Sequence, residues 1–204
     1  MIELFNIVFV TLSLLIIFTF PINNKFLMNK LVIKNLNIFD IYLLNLCLVS
    51  NLLLVLSFFS TKLFYVCIII YFLALINLSN INRNIFKEQL TLLFFFVFFI
   101  IIYSLNIYAK PYLEWDAAVN WIFKVQNFYN NLNFSNLKNV PGVLEYPHLG
   151  AYLWAFFWKI SFINQEYTGR IVYFFIYLLS IFSLSSFIKL NVVKKIFLLG
   201  FLIF

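Results

Sequence analysis

The residues that could do chemistry are concentrated in the second half of the chain. Two carboxylates, Glu114 and Asp116, flank Trp115. A carboxylate at a boundary between water and lipid can accept or orient the proton of an acceptor group during group transfer. Acidic residues are also common at helix starts, where they cap free backbone N–H groups. The local pattern therefore leaves a catalytic role and a capping role open.

Two further polar runs follow the first. They are Glu145-Tyr146-Pro147-His148 and Glu166-Tyr167-Thr168-Gly169-Arg170. His148 is the only histidine in the chain, and a lone histidine is more often a structural hydrogen-bonding residue than a ligand or base. Glu145 could bind an acceptor or a metal, or be a solvated loop acid. A metal site needs more histidine or carboxylate ligands than these runs supply, so no metal or other cofactor is predicted.

A helix is expected to carry the first carboxylates. From Trp115 to Tyr129 the apolar residues recur with helical spacing, and asparagine, glutamine and lysine fall between them. The apolar positions are Trp115, Ala118, Val119, Ile122, Val125 and Tyr129. This pattern predicts an amphipathic helix that lies in the membrane interface, with Glu114 and Asp116 at its start and Lys124 on its polar face.

The composition excludes a soluble domain. Hydrophobic residues make up 65% of the 204 residues and charged residues 10%, and the mean hydropathy is +1.01. Soluble domains average roughly 45–50% apolar and about 25% charged residues. So few polar residues could not cover the exterior of a soluble protein of this length. The net charge of +7 gives no signal of nucleic-acid binding.

Long apolar runs predict an all-α, polytopic transmembrane helix bundle, because a bilayer core of about 30 Å needs roughly 20 helical residues. Residues 1–89 contain three spans, and residues 90–204 contain the others and the polar loop 110–148. The final run is only nine residues long, so the chain is expected to be the N-terminal part of a longer protein. The runs are Ile2–Phe20, Ile41–Phe59, Leu63–Leu78, Leu90–Ala109, Leu149–Ile163, Ile171–Ile188 and Ile196–Phe204.

Basic residues in short loops indicate the orientation in an inner (plasma) membrane. The loop 21–37 contains three lysines, which places it in the cytoplasm and residues 110–148 outside. If Leu149–Ile163 crosses the membrane, Arg170 falls on the cytoplasmic side. The last lysines of the chain then fall outside, against the rule. They are Lys189, Lys194 and Lys195.

The order of these parts resembles the GT-C class of membrane glycosyltransferases, in the protein mannosyltransferase and aminoarabinose transferase branch. A spanning helix leads to Trp115-Asp116-Ala117 and an amphipathic helix. A Tyr-Pro turn then runs into an apolar helix, and Arg170 stands at the head of the next. The resemblance covers about residues 90–190. Two features depart from it: Ala117 follows the acid where many members have a second acid, and three helices precede Leu90.

The resemblance implies transfer of a sugar from a polyprenyl-phosphate donor to a lipid, glycan or protein acceptor at the outer face. Asp116 occupies the position of the first-loop acid and would act as the catalytic carboxylate. The residues implied in substrate binding are Glu114, Glu145, Tyr146, His148 and Arg170. Arg170 could also be a helix-packing or snorkelling residue. The leaving phosphate would need cationic or N–H partners.

Two other functions stay open from the sequence. A polymerase or ligase of envelope polysaccharides shares long outward loops and lipid-linked substrates, but such enzymes rely on outward Arg and His. The loop 110–148 has no Arg and one His. A transporter would show polar or broken helices near the midplane and internal repeats. The apolar runs here are mostly uninterrupted, and no repeat is visible.

Overall fold

The computed structural model describes residues 1–20, 37–59, 62–78, 89–115, 117–131, 148–186, 188 and 191–203. Over these residues the chain is helical and contains no strand, so the predicted all-α class is confirmed there. The α-helices are α1 Ile2–Ile17, α2 Ile38–Ser57, α3 Leu63–Leu78, α4 Leu90–Ala109, α5 Ile122–Tyr129, α6 Leu149–Ile160, α7 Tyr167–Ser183 and α8 Val192–Ile203. A π-helix, Ala117–Trp121, precedes α5, and a 3₁₀ turn, Leu184–Ser186, follows α7.

Two of the helices, α2 and α4, are 20 residues long and apolar enough to cross a membrane by length and composition. Helices α1, α3 and α7 are apolar but shorter. The predicted bounds of α3 and α4 agree with the structure. Helix α2 begins earlier than predicted because Asn37 and Asp40 form a reciprocal capping box, so Asp40 belongs to the first turn.

Ring contacts and hydrogen bonds between helix termini define two ends of the bundle. At the end that we call the first end, the Tyr108 ring near the close of α4 lies 5.7 Å from Tyr167 at the start of α7. Tyr167 also donates a hydrogen bond to Glu3 at the start of α1. At the second end, Asn37 before α2 donates to Ser185 after α7 over 2.9 Å. Helices α1 and α7 therefore start at the first end, and α2 starts at the second.

Aromatic side chains form the centre of the bundle. Phe96 of α4 lies 5.3 Å from both Phe175 and Phe182 of α7, and Phe39 of α2 lies 5.2 Å from Phe182. All four rings are buried. Such edge-to-face and tilted pairs each contribute about 0.5–1.5 kcal/mol beyond the burial of their area. They hold α2 and α4 against α7.

Helix α6 does not cross the bundle. Its 12 residues span about 18 Å, too short for a bilayer core of about 30 Å. It packs antiparallel to the first turns of α7: the Gly150 carbonyl accepts a hydrogen bond from Tyr173 over 2.9 Å, and Trp154 donates to the Glu166 carbonyl over 3.2 Å. Every residue from Ala151 to Phe157 is buried. The prediction that Leu149–Ile163 crosses from one end to the other is wrong, because α7 starts at the first end, beside the close of α4.

The predicted amphipathic helix is present but irregular. Its first part is the π-helix and its second part is α5, which packs against α6 through the Phe128 and Tyr152 rings, 5.0 Å apart. Asn131 follows α5 with a φ of 69°, a left-handed conformation that asparagine tolerates. Its side chain accepts a hydrogen bond from the Leu63 backbone, which fixes the end of α5 beside the start of α3. The prediction that Lys124 lies on the polar face is wrong, since its side chain is fully buried.

Candidate functional site

Arg170 joins the start of α7 to the segment that follows α4. One of its terminal nitrogens donates to the Pro111 carbonyl over 2.8 Å, and the other donates to the Tyr112 carbonyl over 3.4 Å. Its Nε forms an ion pair with one carboxylate oxygen of Glu166 at 3.1 Å, and a terminal nitrogen donates a hydrogen bond to the other oxygen over 3.1 Å. The planar guanidinium group suits this arrangement because its donors point in fixed directions. Arg170 therefore holds the backbone that leads to Glu114 at the first end.

The expected separation of Arg170 from residues 110–115 is wrong. Arg170 would lie at the opposite side only if Leu149–Ile163 were a span. Since α6 returns to the first end, α7 starts beside the close of α4, and Arg170 reaches the carbonyls of Pro111 and Tyr112.

Trp154 completes this first group from α6. Its ring lies 5.9 Å from the Arg170 guanidinium carbon, within the range of a cation–π contact. Gly169 lies directly against the backbone and ring of Trp154, and a Cβ atom there would overlap both. The lack of a side chain at Gly169 is what allows α6 and α7 to approach so closely.

The electrostatics of Glu166 follow from this packing. Burial raises the pKa of the Glu166 carboxyl group, and the positive charge of Arg170 opposes that rise. The side chains of Arg170 and Glu166 are only 13% and 21% exposed. Removing one partner of a partly buried ion pair costs more stability than removing one partner of an exposed pair.

A second group lies between α5 and α6. Lys124 is fully buried, and its Nζ lies 5.6 Å from the centre of the Trp121 ring. His148, 9% exposed, packs edge-on against Phe128 with 6.5 Å between ring centres. Burial lowers the pKa of Lys124. Burial and then the charge of Lys124 lower the pKa of His148, so both groups are shifted towards their neutral forms.

Gly150 connects the two groups. A Cβ atom at Gly150 would lie 3.4 Å from the Tyr173 hydroxyl oxygen and 3.9 Å from the Trp121 ring. Tyr173 stands one helical turn after Arg170, and Trp121 stands one turn before Lys124. The Arg170 group and the Lys124–His148 group are therefore neighbours at the first end, separated by the width of α6.

The structure brings together only some of the predicted site residues. Arg170 and His148 lie at the first end as described, and Glu114 precedes the π-helix there. The Glu114 side chain is exposed, and its backbone carbonyl accepts a hydrogen bond from Ala118 over 2.8 Å. Three predicted residues lie outside the described residues. They are Asp116, Glu145 and Tyr146.

Three residues at this end were not predicted as functional. Glu166 stands four residues before Arg170, and that spacing on a helix is a readable signal for an ion pair. Trp154 and the buried Lys124 carry no such local signal, because their roles depend on the packing of α6. In the described ranges no three His, Cys, Asp or Glu side chains come together as metal ligands.

Comparison with known protein families, with curated proteins and with solved structures finds no match to this chain.

Proposed function

We propose that this chain is a multi-pass protein of the plasma membrane that transfers a sugar from a polyprenyl-phosphate donor to an envelope acceptor at the outer face. The contact of Arg170 with the carbonyls of Pro111 and Tyr112 is the observation that supports it most. The resemblance to GT-C glycosyltransferases implies functional residues both in the segment that follows α4 and at the start of α7. These residues could serve one site only if the two segments lie at the same end of the bundle.

Membrane insertion is supported by the apolar surface of the helices. Helices α2 and α4 have the length and composition of spans, and large apolar side chains project from their exposed faces. Examples are Phe94 and Phe98, which are 65% and 46% exposed. Exposed apolar area of this kind would be costly in water and is favourable in lipid.

The orientation is supported by the positions of the basic residues. Helix α6 does not cross, so α7 ends and α8 starts at the second end, where Lys195 donates to the Ser185 carbonyl over 2.8 Å. The lysine-bearing loop 21–37 joins α1 to α2, and α2 starts at that same end. Lys194 and Lys195 then lie at the same end as the start of α2 and agree with the rule. The second end is then cytoplasmic, and the first end faces outward.

In the proposed reaction, the residues at the first end have separate roles. The Asp116 carboxylate accepts the proton of the acceptor hydroxyl group, whose oxygen forms a bond to the sugar C1. The bond from C1 to the phosphate oxygen breaks, and polyprenyl phosphate leaves with the electron pair. Lys124 and His148, which burial shifts towards their neutral forms, would donate N–H hydrogen bonds to the leaving phosphate. Arg170 acts as a positioning residue, because its donors hold the backbone that precedes Asp116.

The test is sugar transfer in membranes that contain the protein, with polyprenyl-phosphate sugars as donors and label followed into acceptor. Asp116→Asn keeps the shape and removes the charge, so it should lower the rate on the order of 10²–10⁴-fold. Glu114→Gln, two residues away, should lower the rate less, because Glu114 does not occupy the position of the first-loop acid. Full activity in Asp116→Asn at equal expression would contradict the proposed reaction.

A further inference from the structure

An apolar groove of about 320 Å³ opens between α1 and α3. Its walls are Phe9 from α1 and six residues of α3, and Lys159 from the last turn of α6 also lines it. The α3 residues include Phe64, Ile68, Tyr71, Phe72 and Leu75. None of the groups that we assign to sugar transfer lines it.

The length of the groove matches one leaflet of a bilayer. From Phe64 to Leu75 is eleven helical steps, about 16 Å at 1.5 Å per residue. Half of a hydrocarbon core of about 30 Å is about 15 Å. Phe64 lies at the first end, because α3 begins there beside Asn131. The groove therefore runs from the first-end interface along most of α3, and its length fits one acyl chain.

Lys159 supplies a positive charge at the interface end of the groove. Its Nζ lies 4.0 Å from the centre of the Tyr129 ring and donates to the Tyr129 carbonyl over 3.3 Å. Tyr129 in turn stacks on Trp158 at 4.0 Å, the kind of aromatic pair found at the level of lipid headgroups. Among the residues that the structure describes, no carboxylate forms an ion pair with Lys159. Its charge and remaining N–H donors are complementary to a phosphate.

We infer that this groove binds one anionic phospholipid, with an acyl chain along α3 and the headgroup phosphate on Lys159. The match to a single leaflet favours a bilayer phospholipid over a long polyprenyl carrier. The inference rests on the proposed membrane location and is independent of sugar transfer. A lipid at this position would cover the exposed apolar side chains of α3 and bridge them to the end of α5.

The test is native mass spectrometry of the purified full chain after equilibration with equal amounts of phosphatidylglycerol and phosphatidylcholine that carry the same acyl chains. One favourable charge contact at a membrane surface corresponds to about a five-fold preference for the anionic lipid. Lys159→Gln should abolish the preference. Lys62→Gln, in an exposed lysine beside the start of α3 that does not line the groove, should keep it.

A second variant tests the apolar groove independently of the Lys159 charge. Ile68→Trp retains Lys159 but fills the groove from α3, and it should reduce retention of both lipids. The inference would be overturned if the native protein showed no lipid preference or if Lys159→Gln left the preference unchanged. It would also be overturned by an equal loss of preference in Lys62→Gln, or by unchanged lipid retention in Ile68→Trp. Extraction of the protein from membranes by alkaline carbonate would instead contradict the membrane location. A failed transfer assay would leave the lipid result intact.

Discussion

Replacing Gly169 by alanine tests the close packing of α6 on α7. The added Cβ atom would overlap the Trp154 carbonyl and ring, and a backbone carbonyl cannot rotate away. Overpacking costs typically 1–3 kcal/mol, and we expect about 3 kcal/mol here. Alanine is favoured over glycine inside a helix by about 1 kcal/mol. The net expected loss in free energy of unfolding is therefore about 2 kcal/mol, or roughly 4–8 °C in the unfolding midpoint for a chain of this size.

The assay is thermal unfolding of the purified protein in detergent, followed by tryptophan fluorescence. Gly200→Ala in α8 is the matched control, because no atom lies within 4 Å of its added Cβ. That change should be neutral or stabilising by about 0.5–1 kcal/mol. Gly150→Ala, with its nearest contact at 3.4 Å, should fall between the two. Equal midpoints for the Gly169 and Gly200 variants would refute the packing of α6 against α7.

Two further predictions concern the charged groups at the first end. Arg170→Gln removes the ion pair with Glu166 and the two carbonyl contacts, so the free energy of unfolding should fall by about 2 kcal/mol. The control Lys62→Gln should leave the unfolding midpoint unchanged. A loss in Arg170→Gln no larger than in this control would count against the Arg170 contacts. Burial lowers the pKa of His148 below its ordinary value of 6.5, so the unfolded state takes up the proton first as the pH falls and the protein loses stability below about pH 6.5. His148→Gln should make the unfolding midpoint less sensitive between pH 7.5 and 5.5, and identical pH profiles would contradict a buried neutral histidine.

The helices could be predicted from the sequence wherever an apolar run coincides with one helix. Residues Leu63–Leu78 and Leu90–Ala109 are examples in which the predicted and observed bounds agree. The role of Leu149–Ile163 could not be predicted, because an apolar run reads the same whether lipid or other helices surround it. Only its packing against the start of α7 distinguishes the two cases. Whether this run crosses the membrane or packs against α7 decides the side on which α7 begins.

The candidate site was predictable where its signals are local. The spacing of Glu166 and Arg170 indicates an ion pair on one helix face. The contact of Arg170 with Pro111 and Tyr112 joins residues almost 60 positions apart, and no local pattern reports it. Lys124 was expected on a solvated face because it lies between apolar positions of a helical period. The structure buries it, since α6 packs across that face.

Site-directed labelling of two positions tests the central claim most directly, namely that α6 returns to the first end and that this end faces outward. Single cysteines would replace Gln165 and Lys194, both exposed, in a protein that lacks Cys47 and Cys67. With a membrane-impermeant thiol reagent on intact cells, position 165 should be labelled, and position 194 should react only after the membrane is permeabilised. Labelling at 194 with protection at 165 is the pattern expected if Leu149–Ile163 crosses the membrane or if the bundle has the opposite orientation, and it would contradict the claim in either case.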